Sequence, residues 1–451
     1  MERQRLVGPL LVGGSVAAAV LYIYFTSSKC SATKRNVIAG LYNLGNTCYA
    51  NALIQGLSSI PSFVDWLARL KRAPDDKSFV ANLRKLILDM ESSNEAGNLS
   101  AAEINASLIR HGWRIGVGSE QDLHELFNVF LSTWEEELSE QRRCSLSFSL
   151  ADISAIRHSR GEDGCSTVSK RSLHSLLMER CAEAVQLDSC LHCPCNGIFA
   201  VQLKCLQATC GFKKVRRENF SVIPLMIPKA YQTTAVTLDF LLRHYFCSER
   251  IKGASCDACK LRQSKSDSGL LKRIGIAQLP GCLLLRVERV GVLPSGVSFK
   301  ISQHVNFPPV LDVRDYCFYR SKLLDPAKTS PDLFPKASGD SLPSARMVGG
   351  AEENVPSSAT SIFSATEQSE KADKYLYELR AVSEHRGVPE TGHFVTYRRG
   401  SRATLTDRSW FLTNDTTVTR VPWQQVASAQ AYMLYYQRVR VSSSHPPVLS
   451  E

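Results

Sequence analysis

GLYNLGNTCYANALIQGL, residues 40–57, sets one cysteine between a turn-rich run and an apolar helical pattern. Gly45 permits a tight turn, because glycine reaches backbone conformations closed to other residues. Beyond Cys48, Leu53, Leu57 and Ile60 recur at helical spacing. Thr47, or Asn46, is a fair N-cap for that helix. The thiol of Cys48 therefore stands at the first turn of a helix, where free N–H groups and the helix dipole favour a thiolate. Backbone N–H groups of the loop, with an Asn side chain, could also hold an oxyanion. Local features leave two readings open: a nucleophile, and the inert buried thiol that most cysteines are.

A nucleophilic thiol needs a base, and the base needs a group that orients it. His393, in TGHFVTY at 391–397, begins a strand directly after a glycine, a good place to present an imidazole at a sheet end. Read alone, an ordinary surface or hydrogen-bonded histidine is the favoured reading. Asn414 and Asp415 close the next short strand, WFLTND at 410–415. A Cys/His/Asn or Cys/His/Asp set of this kind performs acyl transfer.

The rest of the chain divides by periodicity. Residues 36–134 read mainly helical, with apolar stripes at Phe79, Leu83, Leu86 and Met90, then at Leu123, Leu126, Phe127 and Phe130. From about Phe199 the pattern turns to short strands. CLLLRV at 282–287 reads as a buried strand, and residues 375–382 and 393–398 as a hairpin whose turn is supplied by SEHRGVPETG. Residues 432–441 read as a last apolar strand. Two segments lack a period: 144–170, rich in Ser, and 321–373, rich in Ser, Ala and Pro. The second buries too little apolar surface to offset its chain entropy and reads as a disordered insertion.

The chain has 451 residues, 44% of them hydrophobic and 22% charged, enough for a catalytic domain with a large core. Its formal charge of +11 is spread in short clusters such as Lys213-Lys214, so a solvated basic surface is favoured over nucleic-acid binding. The 15 cysteines are odd in number and do not form a disulfide scaffold, which favours a reducing compartment. Cys256 and Cys259 form a C-x2-C knuckle, and Cys205 and Cys210 a C-x4-C knuckle upstream. Four thiolates in two knuckles suit tetrahedral, structural zinc. Cys190, Cys193 and Cys195 lie close enough in sequence to substitute or to bind separately.

Residues 6–25, LVGPLLVGGSVAAAVLYIYF, contain no charge and would span about 30 Å as a helix, the thickness of a bilayer core. A signal peptide is the rival reading, but its apolar region should be shorter. The flanking Lys29, Lys34 and Arg35 lean slightly toward a cytosolic body. The expected layout is a short tail at 1–5, a transmembrane helix at 6–25, a basic linker at 26–36, a catalytic domain at 37–441 that contains the 321–373 insertion, and a tail at 442–451.

Gly40 to Leu57 resembles the cysteine box of the ubiquitin-specific proteases, and Tyr375 to Arg398 resembles their histidine box. Residues 120–126 resemble the acidic helix between the boxes, 279–289 and 305–308 the central strands, and 431–436 the final strand. The resemblance implies an α+β, papain-like cysteine protease fold with a helical thumb, a β-rich palm and zinc-ribbon-like fingers. It implies Cys48 as nucleophile, His393 as general base and acid, Asn414 as third triad member, Asp415 as its acidic neighbour, and Asn43 as oxyanion donor. Asp122 and Glu125 are implied to pair with arginines of ubiquitin's tail, where carboxylates at i and i+3 share a helix face. The zinc knuckles of Cys205, Cys210, Cys256 and Cys259 would sit in the fingers, although that family usually carries C-x2-C in both. The family also usually has Gln where this chain has Glu120. The apolar span ahead of the cysteine box resembles the mitochondrial outer-membrane member of the family. That implies a cytosol-facing, single-pass, monomeric deubiquitinase that restrains ubiquitin-dependent clearance of the organelle, with no catalytic cofactor and no nucleic-acid partner. Three rivals stay open: a catalytically idle ubiquitin scaffold, a zinc-ribbon nucleic-acid binder and a lysosomal cysteine protease.

Overall fold

The computed structural model describes residues 38–70, 77–92, 97–113, 122–139, 192–207, 209–229, 236–251, 253–254, 256–261, 269–319, 374–388, 392–400 and 408–439. The expected span at 6–25, the linker at 26–36, the 144–170 and 321–373 segments, Glu120, Cys190 and the tail at 442–451 lie outside them. Among the described residues no helix is long and apolar enough to cross a membrane.

The helical half comes first. Helices α1 (Cys48–Ser58), α2 (Pro61–Arg69), α3 (Phe79–Ser92) and α4 (Ala102–Arg110) are followed by α5 over 123–139. The apolar stripes meet where periodicity places them. Leu53, Leu57, Phe63, Trp66, Phe79, Leu83, Phe127, Phe130 and Trp134 form one buried cluster. Pro61 at the start of α2 is tolerated because the first helical N–H has no partner to lose.

Among the described residues sixteen short strands follow. Those used below are β1 (Gly197–Cys205), β2 (Lys213–Phe220), β3 (Val222–Met226), β4 (Val236–Thr237), β5 (Glu249–Ile251), β6 (Leu270–Gln278) and β7 (Cys282–Glu288). Then come β8 (Val290–Val292), β9 (Ser298–Lys300), β10 (Val305–Asn306), β11 (Val310–Asp312), β12 (Leu376–Gly387), β13 (Gly392–Arg399), β14 (Trp410–Asn414), β15 (Thr417–Val421) and β16 (Ala431–Arg438). An eight-stranded sheet runs β15-β14-β13-β12-β16-β7-β3, with β11 added beside β12. A separate four-stranded sheet, β2-β1-β6-β5, stands apart from it.

The large sheet is buried on both faces, which is why its central strands read as continuous apolar runs. Leu284, Met433 and Tyr435 face the helical cluster, while Leu283, Leu285, Leu434 and Tyr436 face a second core. Helix α1 lies against this sheet at close range. A Cβ at Gly56 would fall 2.5 Å from the Tyr435 ring, so glycine permits the approach.

Polar bonds fix the register of α1 on the sheet. Thr396 Oγ1 donates to the Ala52 carbonyl at 2.9 Å. The buried Arg398 donates to Gln55 Oε1 at 2.8 Å and to Ser58 Oγ at 2.7 Å. Burial pulls the Arg398 guanidinium down to about 10, with Glu91 opposing the shift. Since Cys48 begins α1 and His393 lies near the start of β13, these bonds set the relation between thiol and imidazole.

The hairpin differs from its sequence reading in one respect. SEHRG at 383–387, expected as turn, continues β12, paired with β13 as far as Gly387↔Gly392 and with β16 as far as Glu384↔Ala431. Pairing on both sides outweighs the turn propensity of that stretch.

Candidate active site

The loop before α1 is tied by one side chain. Asn43 Oδ1 accepts from the backbone N–H of Gly45 and of Thr47, both at 3.1 Å. Gly45 (φ 92°) and Asn46 (φ 54°) take the left-handed turn that follows, and Asn is among the residues that tolerate it. Thr47 is the N-cap by position, but its side chain does not cap α1. Its Oγ1 instead accepts from Leu44 N at 2.8 Å, inside the loop. The N-cap expectation thus holds for the residue and fails for the bond. The first N–H groups of α1 thus have no side-chain cap, and those of Cys48 and Tyr49 favour the Cys48 thiolate.

The imidazole arrives from β13. His393 Nε2 meets Asn414 Oδ1 at 2.6 Å, and Asn414 ends β14. With a carbonyl oxygen as its partner, Nε2 carries the proton and Nδ1 keeps its lone pair. The next residue, Phe394, directs its backbone N–H at the Cys48 sulfur. The strand that carries His393 thus runs beside the start of α1, although 345 positions separate Cys48 from His393 in sequence. Burial raises the Cys48 thiol above its ordinary value, the N–H of Phe394 opposes that, and the Asp415 carboxylate adds to the rise. The resting group is a protonated thiol that needs a neighbouring base.

Asp415 turns the β14–β15 hairpin with φ 49°. Its Oδ2 accepts from Asn43 Nδ2 at 2.9 Å, and its Oδ1 from Asn51 Nδ2 at 2.8 Å. Its carbonyl accepts from Leu41 N at 2.9 Å. One residue at a hairpin tip thus holds both the cysteine loop and the helix that carries the cysteine.

The sequence model of the ubiquitin carboxyl-terminal hydrolase family matches residues 39–436, most of the chain. The chain belongs to the ubiquitin carboxyl-terminal hydrolase family. Its enzyme class is that of the cysteine-type deubiquitinating hydrolases. Among curated relatives it is 28% identical to ubiquitin carboxyl-terminal hydrolase 30 of Xenopus tropicalis, over 97% of this chain and 88% of the relative. It is 27% identical to the protein of that name in Homo sapiens, over 96% and 90% of the two chains. Among solved structures it resembles the SAGA DUB module Ubp8/Sgf11/Sus1/Sgf73 bound to monoubiquitin, with TM-score 0.55 and 17% identity over 95% of this chain and 76% of that one. That likeness bears on the fold, and it matches the expected helical and β-rich halves of a ubiquitin carboxyl-terminal hydrolase.

Of the residues expected at the substrate tail, Asp122 stands immediately before α5 and caps it. Its Oδ1 accepts from His124 N at 2.7 Å and Glu125 N at 3.1 Å, and its Oδ2 accepts from the Tyr432 hydroxyl. An aspartate before a helix satisfies N–H groups that would otherwise lack partners, and that preference wins here. Glu125 is exposed. Beside them Arg286 donates to His124 Nδ1 at 2.7 Å and pairs with Glu288 at 3.1 Å. Burial, then Arg286, hold His124 below its ordinary value, so it accepts that bond as a neutral ring.

In this hydrolase the four cysteines of the two knuckles come together at the far end of the small sheet. Cys205, Cys210, Cys256 and Cys259 place their sulfurs within 4.8 Å of one another. The pairs Cys205–Cys259 and Cys210–Cys256 each stand at 3.7 Å. Tetrahedral zinc with Zn–S bonds of about 2.3 Å requires S···S separations of about 3.8 Å, so the donor set fits a metal ion. Cys193 and Cys195 do not substitute here. Both are buried in the helical-half core with Cys282.

Sequence reasoning missed Asn51 and Arg398. Asn51 and Gln55 both lie inside an otherwise apolar helix and are 2% exposed. Two buried amides four residues apart in one helix were the available signal, since such groups require partners.

Proposed function

We propose that this chain hydrolyses the bond at ubiquitin's C-terminal glycine through a thioester on Cys48. The reading is supported by the His393–Asn414 hydrogen bond on the strand whose next residue, Phe394, turns its N–H to the Cys48 thiol. Asn414 keeps the His393 proton on Nε2, which leaves Nδ1 to take the proton of the Cys48 thiol. The thiolate attacks the glycine carbonyl, and the tetrahedral oxyanion forms next to the first N–H groups of α1 and the amide of Asn43. A primary amide has two N–H donors. Asp415 orients the group through one and leaves the second for the oxyanion. Collapse expels the lysine amine, which takes the proton from His393. Water, deprotonated by the same imidazole, then attacks the thioester and releases ubiquitin with a free carboxylate.

In this reading Asp122 and Glu125 line the path of the ubiquitin tail, and zinc held by the four fingers cysteines stabilises the fold away from the chemistry. Residues 6–25 anchor the protein, as a monomer, in the mitochondrial outer membrane with the catalytic domain in the cytosol, where it opposes ubiquitin-dependent clearance. The support for that location is the uncharged apolar run and its resemblance to the membrane-anchored member of the family.

The test is labelling by ubiquitin bearing an electrophile at its C-terminus, followed through cell fractionation. Wild type should be labelled at Cys48 in mitochondrial membranes, and Cys48→Ala should not. Absence of labelling would sink the catalytic reading, and labelling of soluble protein only would sink the anchor.

A further inference from the structure

A second cavity, of about 700 Å³, opens on the large sheet at the end away from the thiol. His393 lies near the start of β13 and Arg399 ends it, so the cavity stands about 20 Å from the imidazole along the strand. Its walls are formed by Trp410, Trp423, Pro309 and Pro422, and its charges by Arg399, Arg408 and Arg420. The two indoles stand 5.6 Å apart at 40°, and the Arg399 guanidinium lies 4.7 Å over the Trp410 ring. Arg399 also donates to the Arg408 carbonyl at 2.7 Å and lies 3.6 Å from Glu378, so its plane is held in place. Arg408 and Arg420 are exposed, and among the described residues no carboxylate lies within ion-pair distance of either. The family reaction does not use this end of the sheet.

Two more features say what would fit. Strand β15 borders the cavity and pairs only with β14 among the described residues. Its other edge offers backbone N–H and C=O groups to an added strand. Flat indole and proline faces accept an apolar side chain, while guanidinium groups recognise carboxylate or phosphate oxygens in a bidentate manner. A cavity of this volume is in the range of ligand sites.

We propose that the cavity lined by Trp410 and Trp423 is a docking site for an extended acidic peptide, which lies along β15, rests an apolar side chain against Trp423 and Pro422 and sets carboxylate or phosphate groups on Arg399, Arg408 and Arg420. The site would recruit a partner or substrate protein independently of ubiquitin.

The experiment uses the full chain and short capped peptides that alternate valine with glutamate, with glutamine, or with phosphoserine, read by fluorescence polarisation. The glutamate or the phosphoserine peptide should bind saturably and the glutamine peptide should not; which of the two anionic peptides binds tighter identifies the group recognised. Arg408→Glu with Arg420→Glu should weaken binding by about tenfold or more and leave the melting temperature unchanged, since both side chains are exposed. Trp423→Ala should weaken binding at unchanged salt dependence. Failure of both anionic peptides to bind, equal binding of the glutamine peptide, or full binding by the doubly reversed variant would each overturn the proposal.

Discussion

Asp415 accepts the side-chain amide of Asn51 at 2.8 Å across 364 positions of sequence. Its other oxygen accepts from Asn43, and the two bonds tie the hairpin tip to both ends of the segment that carries Cys48. Asp415→Ala removes both acceptors and leaves two amides to find new partners. A reacting group displaced by about 1 Å costs on the order of 100-fold in rate. The expected outcome is a fall of that size in kcat/KM for a fluorogenic ubiquitin substrate, with a loss of about 2 kcal/mol in stability. Asn51→Ala should reproduce part of the stability loss. Wild-type activity in Asp415→Ala would show that the clamp does not position the thiol.

Asn414 acts on the imidazole rather than on the hairpin. Asn414→Ala frees the His393 ring and its tautomer, and kcat should fall by about 10²–10⁴-fold. Asn414→Asp keeps an acceptor 2.6 Å from Nε2 and should restore most of that loss. A carboxylate there also favours the imidazolium, so the rescued enzyme should show a shifted pH–rate profile, which a purely structural role of Asn414 would not produce.

How much of this was open to a reader of the sequence depends on the range of each interaction. The apolar periods of α1, α3 and α5 were legible because a helix face is a local pattern. The continuous run in β7 announced a strand buried on both faces. The positions of Cys48, His393 and Asn414 were legible as a set through family resemblance, since no local pattern joins residues at the two ends of a domain. That Asp122 would cap α5 was not legible, because capping and interior positions share the same residue types. Arg398 was not legible at all. An arginine in the run TYRR has no sequence mark that separates a buried lock on Gln55 from a solvated charge.

That lock supports a further prediction. Arg398 is fully buried, donates to Gln55 and Ser58, and stands 3.7 Å from Glu91. Arg398→Met fills similar volume but removes the donor to Gln55 Oε1 and Ser58 Oγ and the cation beside Glu91. The expected destabilisation is about 3 kcal/mol, measured by chemical denaturation. Adding Gln55→Leu and Glu91→Leu should recover part of it, because replacing two of the three partners removes polar groups that Arg398 had satisfied. A single Arg398→Met at wild-type stability would rule out the lock.

His124 and His385 give the fold a dependence on pH. Burial holds both rings below the ordinary value, assisted by Arg286 at His124 and by Lys300 at His385. In the unfolded chain each takes up a proton as pH falls through about 6.5, whereas the folded rings stay neutral to lower pH. The unfolded state then binds more protons, so stability drops as pH falls below about 6.5 and levels off once the folded rings titrate. Denaturation midpoints measured from about pH 7.5 to 5 should decline, and His124→Gln should flatten part of the slope. An unchanged slope in that variant would show that the ring does not enter folded as a neutral group.

The fingers test the metal. Among the described residues their tip has a very small core: Cys205, Cys256 and Cys259 are buried with Cys210, Phe212, Ala258 and Leu270 packed beside them. So small a cluster does not hold two loops together by apolar burial, and metal binding would supply the missing free energy. Native mass spectrometry of the full chain should show one zinc per molecule, absent in Cys259→Ser. Chelation should lower the melting temperature and expose residues 205–210 and 256–261 to proteolysis. The reaction of Cys48 with a small electrophile such as iodoacetamide should be unchanged by chelation, because the four sulfurs stand at the end of the small sheet and the thiol on α1 against the large one. Loss of Cys48 reactivity in step with the metal would mean that the fingers and the catalytic cleft fold as one unit.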